Sequence, residues 1–412
     1  MAGNMEMNSL QTKFYQKELE VNSLMEITQA VNNNLPEEDL YKIFEFTIRA
    51  NLKLDKLALF VKEKEWECKV QFGTSKDFRT VQIGDACLNV NKTTKITDMT
   101  LDVVCFEEFE LIIPVMHKDR LLSFVFIKAK ASDLEVDTTF IQALSNITLV
   151  AIENKRLARR ELEQQAFQRD MEIAKNVQNY LFPKSLPKTD KIQIEAFYQP
   201  CKTVGGDYYD YITIEDENQF VVCIADVSGK GIPAAILMSN FQAVLRTISR
   251  TAENPVQVVN ELNHQLCENA NGENFITFFL AVYDYNKKDL RYINAGHNPP
   301  ILMNGKPEVE LLTSGTTVLG AFNPLPFIEM GTIKDIEQFH LFLFTDGLTE
   351  TFDENEEEFG IERLEAILQN NYNAPLEELH SKILSELNDF KAADNFTDDL
   401  TFLSCRVNNA SV

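Results

Sequence analysis

The chain has 412 residues, enough for two or three domains with substantial cores, and 25 % of them are charged. Its 63 acidic residues against 39 basic ones give a formal net charge of -24, which argues against a nucleic-acid partner, since such binders concentrate Lys and Arg. Residues 1–10 lack the apolar core of a signal peptide, and no apolar run reaches the ~18 residues needed to span a bilayer, so the expectation is a cytoplasmic protein with no membrane partner.

In chain order, Leu19, Val21, Leu24, Ile27 and Val31 recur at helical spacing and predict a first helix. A second, 37–51, carries Leu40, Ile43, Phe44, Phe46 and Ile48. Strand-like runs follow at 56–61, 65–72, 111–115 and 121–127. Two helices, mixed strands and a further helix in this order resemble a GAF sensor domain, on pattern and not on a sharp motif. The resemblance implies a sensor or dimerisation domain over residues 1–152. No cysteine in a chromophore-type context and no charged cluster suited to a cyclic nucleotide marks a ligand.

Between Pro114 and Pro183 there is neither proline nor glycine, and strong helix formers dominate 138–182, a helix of about 65 Å. In heptad phase Val150, Leu157, Gln164, Met171 and Gln178 share one seam position. Phe167, Ala174 and Leu181 share the other with Glu153 and Arg160. Such a seam is apolar enough to pair yet weakened by polar residues, as suits a signalling helix that shifts between registers. The expectation is a coiled-coil-like linker over 153–186 that, with the N-terminal domain, makes the chain a homodimer; a solvated connector helix is the plainer alternative.

The third region, 187–408, alternates strands (191–197, 220–225, 276–283, 290–294, 341–344, 400–406) with helices (233–251, 255–268, 361–369, 376–387). The runs 278–283 and 289–293, joined across Asn286-Lys287-Lys288, read as a hairpin, so the sheets are expected to be largely antiparallel. Two sheets flanked by helices give an α+β fold class. Seven scattered cysteines (Cys68, Cys87, Cys105, Cys201, Cys223, Cys267, Cys405), with no Cys-x-x-Cys, fit reduced thiols better than a disulfide framework or a zinc site.

This region carries four aspartate motifs: Gly205-Gly206-Asp207, Asp226-Val227-Ser228-Gly229-Lys230-Gly231, Thr345-Asp346-Gly347 and Asp398-Asp399. Asp226 and Asp346 each end a buried-strand run, and the two glycines before Asp207 point to a turn. Any one motif could be ordinary turn chemistry. Carboxylates gathered at several strand tips repel one another unless a cation relieves them, and hard oxygen ligands suit Mg2+ or Mn2+.

Val204-Gly205-Gly206-Asp207-Tyr208-Tyr209-Asp210, Asp226 to Gly231 followed by Ala234-Ala235, Asn294-Ala295-Gly296-His297, Thr345-Asp346-Gly347-Leu348-Thr349-Glu350 and Asp398-Asp399-Leu400-Thr401 stand in an ordered series. The series resembles the signature of PPM-type protein phosphatases of the RsbU/SpoIIE group, and Leu181-Phe182-Pro183 resembles the segment that leads into that domain. The resemblance implies an α-β-β-α sandwich. It also implies hydrolysis of phosphoserine or phosphothreonine on a phosphorylated regulatory protein, usually a small STAS-type anti-sigma-factor antagonist, with two divalent cations, Mn2+ or Mg2+. Carried over residue by residue, Asp207 and Asp226 hold one cation with the Val227 carbonyl. Asp226 bridges to a second, which Asp346 and the final pair complete. The group's pattern favours Asp398 there, with Asp399 left open, and Asp210 is expected to cap or hydrogen-bond.

Two cations 3.5–4 Å apart suit a slow phosphate-ester hydrolysis, because they acidify water and neutralise the phosphoryl oxygens. Eukaryotic-type members carry a phosphate-binding arginine near the first motif and a histidine after the second. Here Val227 and Ser228 stand at the latter place and the nearest upstream basic residue is Lys202, which leaves the phosphate-binding residue and the general acid unassigned. His297 is expected to be structural beside the Gly296 turn, and the acidic run 353–358 a solvated loop. Gly-Gly-Asp also occurs in diguanylate cyclases, but that reading leaves Asp226, Asp346 and Asp398 unused. An inactive scaffold is the other alternative, and the intact aspartate set argues against it.

Overall fold

Hydrophobic residues alternate along the strand-like runs and recur every three or four residues along the helical ones, and the two periodicities pack against each other twice. The computed structural model describes residues 2–99, 106–117, 120–131, 136–214, 218–252, 254–269, 274–392 and 396–408. Cys105 lies outside them. The chain divides into two compact units, Met1–Gln165 and Ala166–Val412, each with its own cores. No helix among the described residues is long and apolar enough to cross a membrane.

The first unit runs α1 (Ala2–Asn32), α2 (Glu37–Asn51), β1 (Leu54–Lys62), β2 (Trp66–Phe72), α3 (Asp85–Leu88), β3 (Thr94–Lys95), β4 (Leu111–His117) and β5 (Arg120–Ala129), followed by α4 (Thr138–Asn179), within which the unit boundary falls. Its five strands form an antiparallel sheet in the order β2-β1-β5-β4-β3. Successive side chains of a strand point to opposite faces. Leu57, Leu59 and Val125 therefore meet Phe44 and Ile48 of α2 and Ile141 and Leu144 of α4. Phe60, Phe124 and Phe126 meet Phe78 and Phe106 on the other face, where Phe106 stacks on Phe126 at 4.3 Å. Helix α2 has the predicted bounds, but its Phe46 is 70 % exposed. In α1 the predicted stripe narrows to Ile27 and its neighbours, leaving Leu19 and Val21 exposed.

The second unit contains β6 (Ile192–Gln199), β7 (Tyr208–Ile214), β8 (Gln219–Val227), α5 (Ile232–Ile248), α6 (Pro255–Asn269), β9 (Ile276–Asp284), β10 (Asp289–Ala295), β11 (Ile301–Met303), β12 (Glu310–Leu311), β13 (Gly315–Thr316), β14 (Gly331–Ile333), β15 (Gln338–Phe344), α7 (Asp346–Thr349), α8 (Ile361–Asn370), α9 (Leu376–Phe390) and β16 (Leu400–Asn408). One sheet runs β13-β10-β9-β8-β7 with β14 against β10, and the other runs β12-β11-β15-β16-β6. Phe220, Val222 and Ile224 of β8 face Leu341, Leu343 and Leu403 of the other sheet across the central core. The alternate residues Val221, Cys223 and Ala225 pack under Met238, Phe241 and Leu245 of α5. On the far side Phe342, Phe344 and Phe402 pack under α8 and α9. The layers are helix, sheet, sheet, helix. The hairpin predicted at 278–293 pairs Asp284 with Asp289 through Phe278 with Ala295, and Lys288 takes a positive φ of 54° in its turn. The short strands β11 to β14 and the strand β7 escape sequence reading, because they are too brief or too polar to show a period.

Candidate metal centre

Strands β8 and β15 end side by side at one edge of the sandwich, and the four aspartate motifs meet there. Asp226 is the penultimate residue of β8, Asp346 opens α7 directly after β15, Asp207 immediately precedes β7, and Asp398-Asp399 immediately precede β16. The glycines before Asp207 serve close approach and not a positive φ. A Cβ on Gly205 would lie 2.3 Å from Asp399 Oδ2, and one on Gly206 would lie 2.9 Å from the Val227 carbonyl oxygen. Gly347 is held as tightly, with the Asp399 carbonyl oxygen 2.1 Å from its missing Cβ. The loops therefore interlock without side chains between them, which brings the Val227 carbonyl against the Gly206–Asp207 segment.

The aspartates differ in their partners. Asp207 is buried, and its Oδ2 accepts from Thr345 Oγ1 at 2.9 Å and Thr401 Oγ1 at 2.5 Å. Burial, then the charges of Asp226 and Asp399, pushes its carboxyl well above the usual carboxylate range. Burial, then Asp346 and Asp398, pushes Asp226 up to about 7, and burial with the Asp398 charge also raises Asp346. Asp398 is partly exposed; its Oδ2 pairs with Lys230 Nζ at 2.7 Å and its Oδ1 accepts the Asp399 amide at 2.8 Å. Asp399 is buried with both oxygens occupied: Oδ1 accepts from the Cys201 amide at 2.8 Å and Oδ2 from the Gly206 amide at 2.7 Å. Cys201 Sγ lies within 4.8 Å of one oxygen of each member of the final pair. Burial and the Asp399 carboxylate push that thiol up to about 11.

Carboxylates raised together by burial and mutual repulsion, among hard oxygen donors, fit a divalent-cation site. Asp207, Asp226, Asp346 and Asp398, with the Val227 carbonyl, offer the donors, and Lys230 is ion-paired with Asp398 among them.

Other residues build the frame. His297 is buried; its Nε2 lies 3.1 Å from the Phe344 carbonyl oxygen and its Nδ1 2.8 Å from Thr277 Oγ1. A carbonyl only accepts, so Nε2 carries the proton and Nδ1 accepts the Thr277 hydroxyl. Burial lowers this imidazole to about 4, leaving it neutral. Since Thr277 is the register partner of Asp226 and Phe344 ends β15, His297 ties the two sheets together behind the aspartates. Asp210 sits apart, accepting from Arg246 Nε at 2.7 Å, Arg246 Nη2 at 2.9 Å, the Tyr211 amide at 2.8 Å and the Tyr208 hydroxyl. It anchors α5 to β7 by hydrogen bonds. The acidic run 353–358 forms a loop in which Asp353 accepts the amides of Asn355 and Glu357.

Gln178 is the residue that sequence reasoning misplaces. Heptad phase puts it in a helix seam, yet it is buried, donating Nε2 to the Gly205 carbonyl at 2.8 Å and accepting the Gly205 amide at 3.3 Å. The end of α4 thus grips the loop that carries Asp207. Phe182 follows it into a cluster with Tyr198, Tyr208 and Tyr209. Thr345 and Thr401, which fix the Asp207 carboxylate, were within the quoted motifs but had no role from sequence.

Residues 216–408 match the family described as Stage II sporulation protein E (SpoIIE). Over 242 residues the chain is 32 % identical to the phosphoserine phosphatase RsbU of Bacillus subtilis, an overlap of 57 % of this chain and 70 % of RsbU. The chain belongs to the RsbU/SpoIIE family of PP2C-type phosphatases. Another similar protein, the phosphoserine phosphatase RsbP of B. subtilis, is 26 % identical over 245 residues, 57 % of each chain. Among solved structures, the SiaA-PP2C domain of Pseudomonas aeruginosa superposes with a TM-score of 0.53 at 20 % identity, covering 60 % of this chain and 99 % of that domain. That likeness shows the fold of this RsbU/SpoIIE-type phosphatase.

Proposed function

We propose that this phosphatase hydrolyses phosphoserine or phosphothreonine on a regulatory protein, a STAS-type anti-sigma-factor antagonist, using two divalent cations, Mn2+ or Mg2+. The observation that carries the proposal is the convergence of Asp207, Asp226, Asp346 and Asp398 from both sheets on one edge, with raised carboxyl groups held by interlocking glycine loops. Kinship with RsbU and RsbP, both named phosphoserine phosphatases, supports the substrate class.

In this reading Asp207 and Asp226 hold one cation with the Val227 carbonyl, and Asp226, Asp346 and Asp398 hold the other. Asp399 keeps the Cys201–Gly206 loop in place, because both of its oxygens already accept backbone amides. Bound divalent cations supply positive charge against the phosphoryl oxygens and acidify water. Thr345 and Thr401 fix the Asp207 carboxylate, and His297 keeps the ends of β9 and β15 in register. With cations bound, Lys230, whose side chain is 38 % exposed at the rim, would be released from Asp398 and would meet the substrate's phosphate.

Residues 1–152 act as a GAF-type sensor or dimerisation domain, 153–186 as a coiled-coil-like linker of a homodimer, and 187–408 as the phosphatase. The five-stranded antiparallel sheet under helices supports the first assignment. The solvent exposure of the seam residues Leu157 and Phe167 of α4 supports the second. Gln178 gives the linker a direct hold on the Asp207 loop.

The test is dephosphorylation of a phosphoserine-bearing STAS-type protein by the full chain with Mn2+ or Mg2+ and with EDTA. Metal-dependent release of phosphate is expected. Equal activity in EDTA would overturn the metal assignment, and hydrolysis of small esters without any phosphoprotein turnover would overturn the substrate class.

A further inference from the structure

The second unit has a cavity far from the aspartate cluster. It has a volume of about 110 Å³ and lies between the last turn of α5, the start of α6 and strands β8 to β10. Gln219 and Val221 at the head of β8 line it, whereas Asp226 is the penultimate residue of that strand. Seven residues at 3.3 Å each separate Gln219 from Asp226 by about 23 Å. A space of this size holds several waters or one small solute.

Two polar atoms in the wall, Ser249 Oγ and Arg291 Nε, lack hydrogen-bond partners. Ser249 is 3 % exposed, and its Oγ makes no hydrogen bond. Its amide is spent on the Leu245 carbonyl, so only the hydroxyl is available. Arg291, with a side chain 16 % exposed, has a buried Nε without a hydrogen-bond partner. One terminal nitrogen reaches Gln219 Oε1 at 3.4 Å, and Nε forms an ion pair with Asp289 Oδ1 at 3.7 Å, too long for a hydrogen bond. A guanidinium has five N–H donors and no acceptor, so Arg291 keeps a buried donor at Nε for a bound acceptor. Arg250 adds a second guanidinium to the same wall, and Val221 and Leu280 supply an apolar floor. Buried polar groups in folded proteins are nearly always paired, and a donor-rich wall asks for a ligand that accepts.

We propose that this cavity binds a compact oxyanion, a carboxylate or phosphate group on a small body. Arg291 and Arg250 take its charge and the Ser249 hydroxyl donates to it. The site belongs to the end of α5 that lies 17 residues from the Gly231 end beside the aspartates, so it is a ligand site separate from the catalytic one.

The test titrates the EDTA-stripped full chain with inorganic phosphate in one arm and propionate in the other, against chloride at matched ionic strength. Thermal unfolding and calorimetry give the readout. At tenfold excess over Kd the bound anion should raise Tm by about 3–5 °C. Arg291→Leu should weaken binding at least tenfold, since a charged hydrogen-bonding partner is lost. Ser249→Ala, which removes one oxygen and should leave the fold intact, should weaken it severalfold. Asp226→Asn should bind as the parent does. Saturation by phosphate alone or by propionate alone identifies the headgroup. No saturable binding of either anion, or binding that survives both Arg291→Leu and Ser249→Ala, overturns the proposal.

Discussion

Asp398 and Asp399 are neighbours in sequence with opposite surroundings, and exchanging each for asparagine separates their roles. Asp399 is 4 % exposed and accepts two backbone amides at 2.8 and 2.7 Å. An asparagine there can satisfy one of those donors with its oxygen, while its NH2 faces the other. The loss is one charge-assisted hydrogen bond plus a buried amide without an acceptor, about 2–4 kcal/mol. In a unit of this size that lowers Tm by roughly 5–12 °C. Asp398 is partly exposed, and its ion pair with Lys230 contributes at most about 1 kcal/mol. Its charge also raises the carboxyls of Asp226 and Asp346, so Asp398→Asn relieves repulsion and should leave the metal-free protein as stable as the parent or slightly more so. The activity ranking should reverse the stability ranking. With Mn2+ and p-nitrophenyl phosphate, Asp398→Asn should lose ~100-fold or more in rate, and Asp399→Asn less at a temperature where it is folded. The assay is unfolding in EDTA beside initial rates in Mn2+. An Asp399→Asn protein of parental stability that has lost all activity would refute the reasoning and make Asp399 the ligand.

Three further outcomes are expected. Without metal, Asp226, raised to about 7, binds a proton more tightly folded than unfolded, so its contribution to stability is full below about pH 4 and is lost as pH rises through about 7. Denaturant unfolding in EDTA should therefore show the parent losing a few kcal/mol relative to Asp226→Asn across that window, and saturating Mn2+ should remove the loss; a metal-free parent that keeps pace with Asp226→Asn from pH 4 to 7 contradicts this. Gln178→Ala strips both hydrogen bonds from Gly205 and should cost about 1–3 kcal/mol with a weaker apparent Mn2+ affinity, read from the metal dependence of rate; an unchanged metal dependence would leave Gln178 a purely structural residue. Inserting seven residues near Gln164 keeps heptad phase and should preserve activity and its regulation, whereas inserting two turns everything downstream by about 200° and should lock activity on or off; identical behaviour of the two proteins, with a monomer by light scattering, makes α4 a spacer.

The longest and most regular elements were legible from sequence. Helix 37–51 and the buried strands ending at Asp226 and Asp346 announce themselves by period, and the aspartate motifs by chemistry. What sequence reading missed is tertiary. The need for Gly205 and Gly206 comes from Asp399, 193 residues away in the chain from Gly206, and not from local turn geometry. Gln178 sits at a heptad position yet turns inward, because the helix ends against a loop with unpaired backbone groups. Phe46 keeps a helical spacing but faces solvent, since amphipathic periodicity fixes a stripe's direction only to within a residue or so. Sequence also did not show that backbone amides take both oxygens of Asp399 and only one of Asp398.

The central claim is that the aspartate cluster holds two divalent cations with Asp226 shared between them. Calorimetric titration of Mn2+ into the EDTA-stripped full chain tests it most directly. The account predicts two Mn2+ bound per chain, and loss of both from Asp226→Asn, whose unfolding should show that it remains folded. A parent chain that binds no Mn2+, or a folded Asp226→Asn that still binds two, would contradict it.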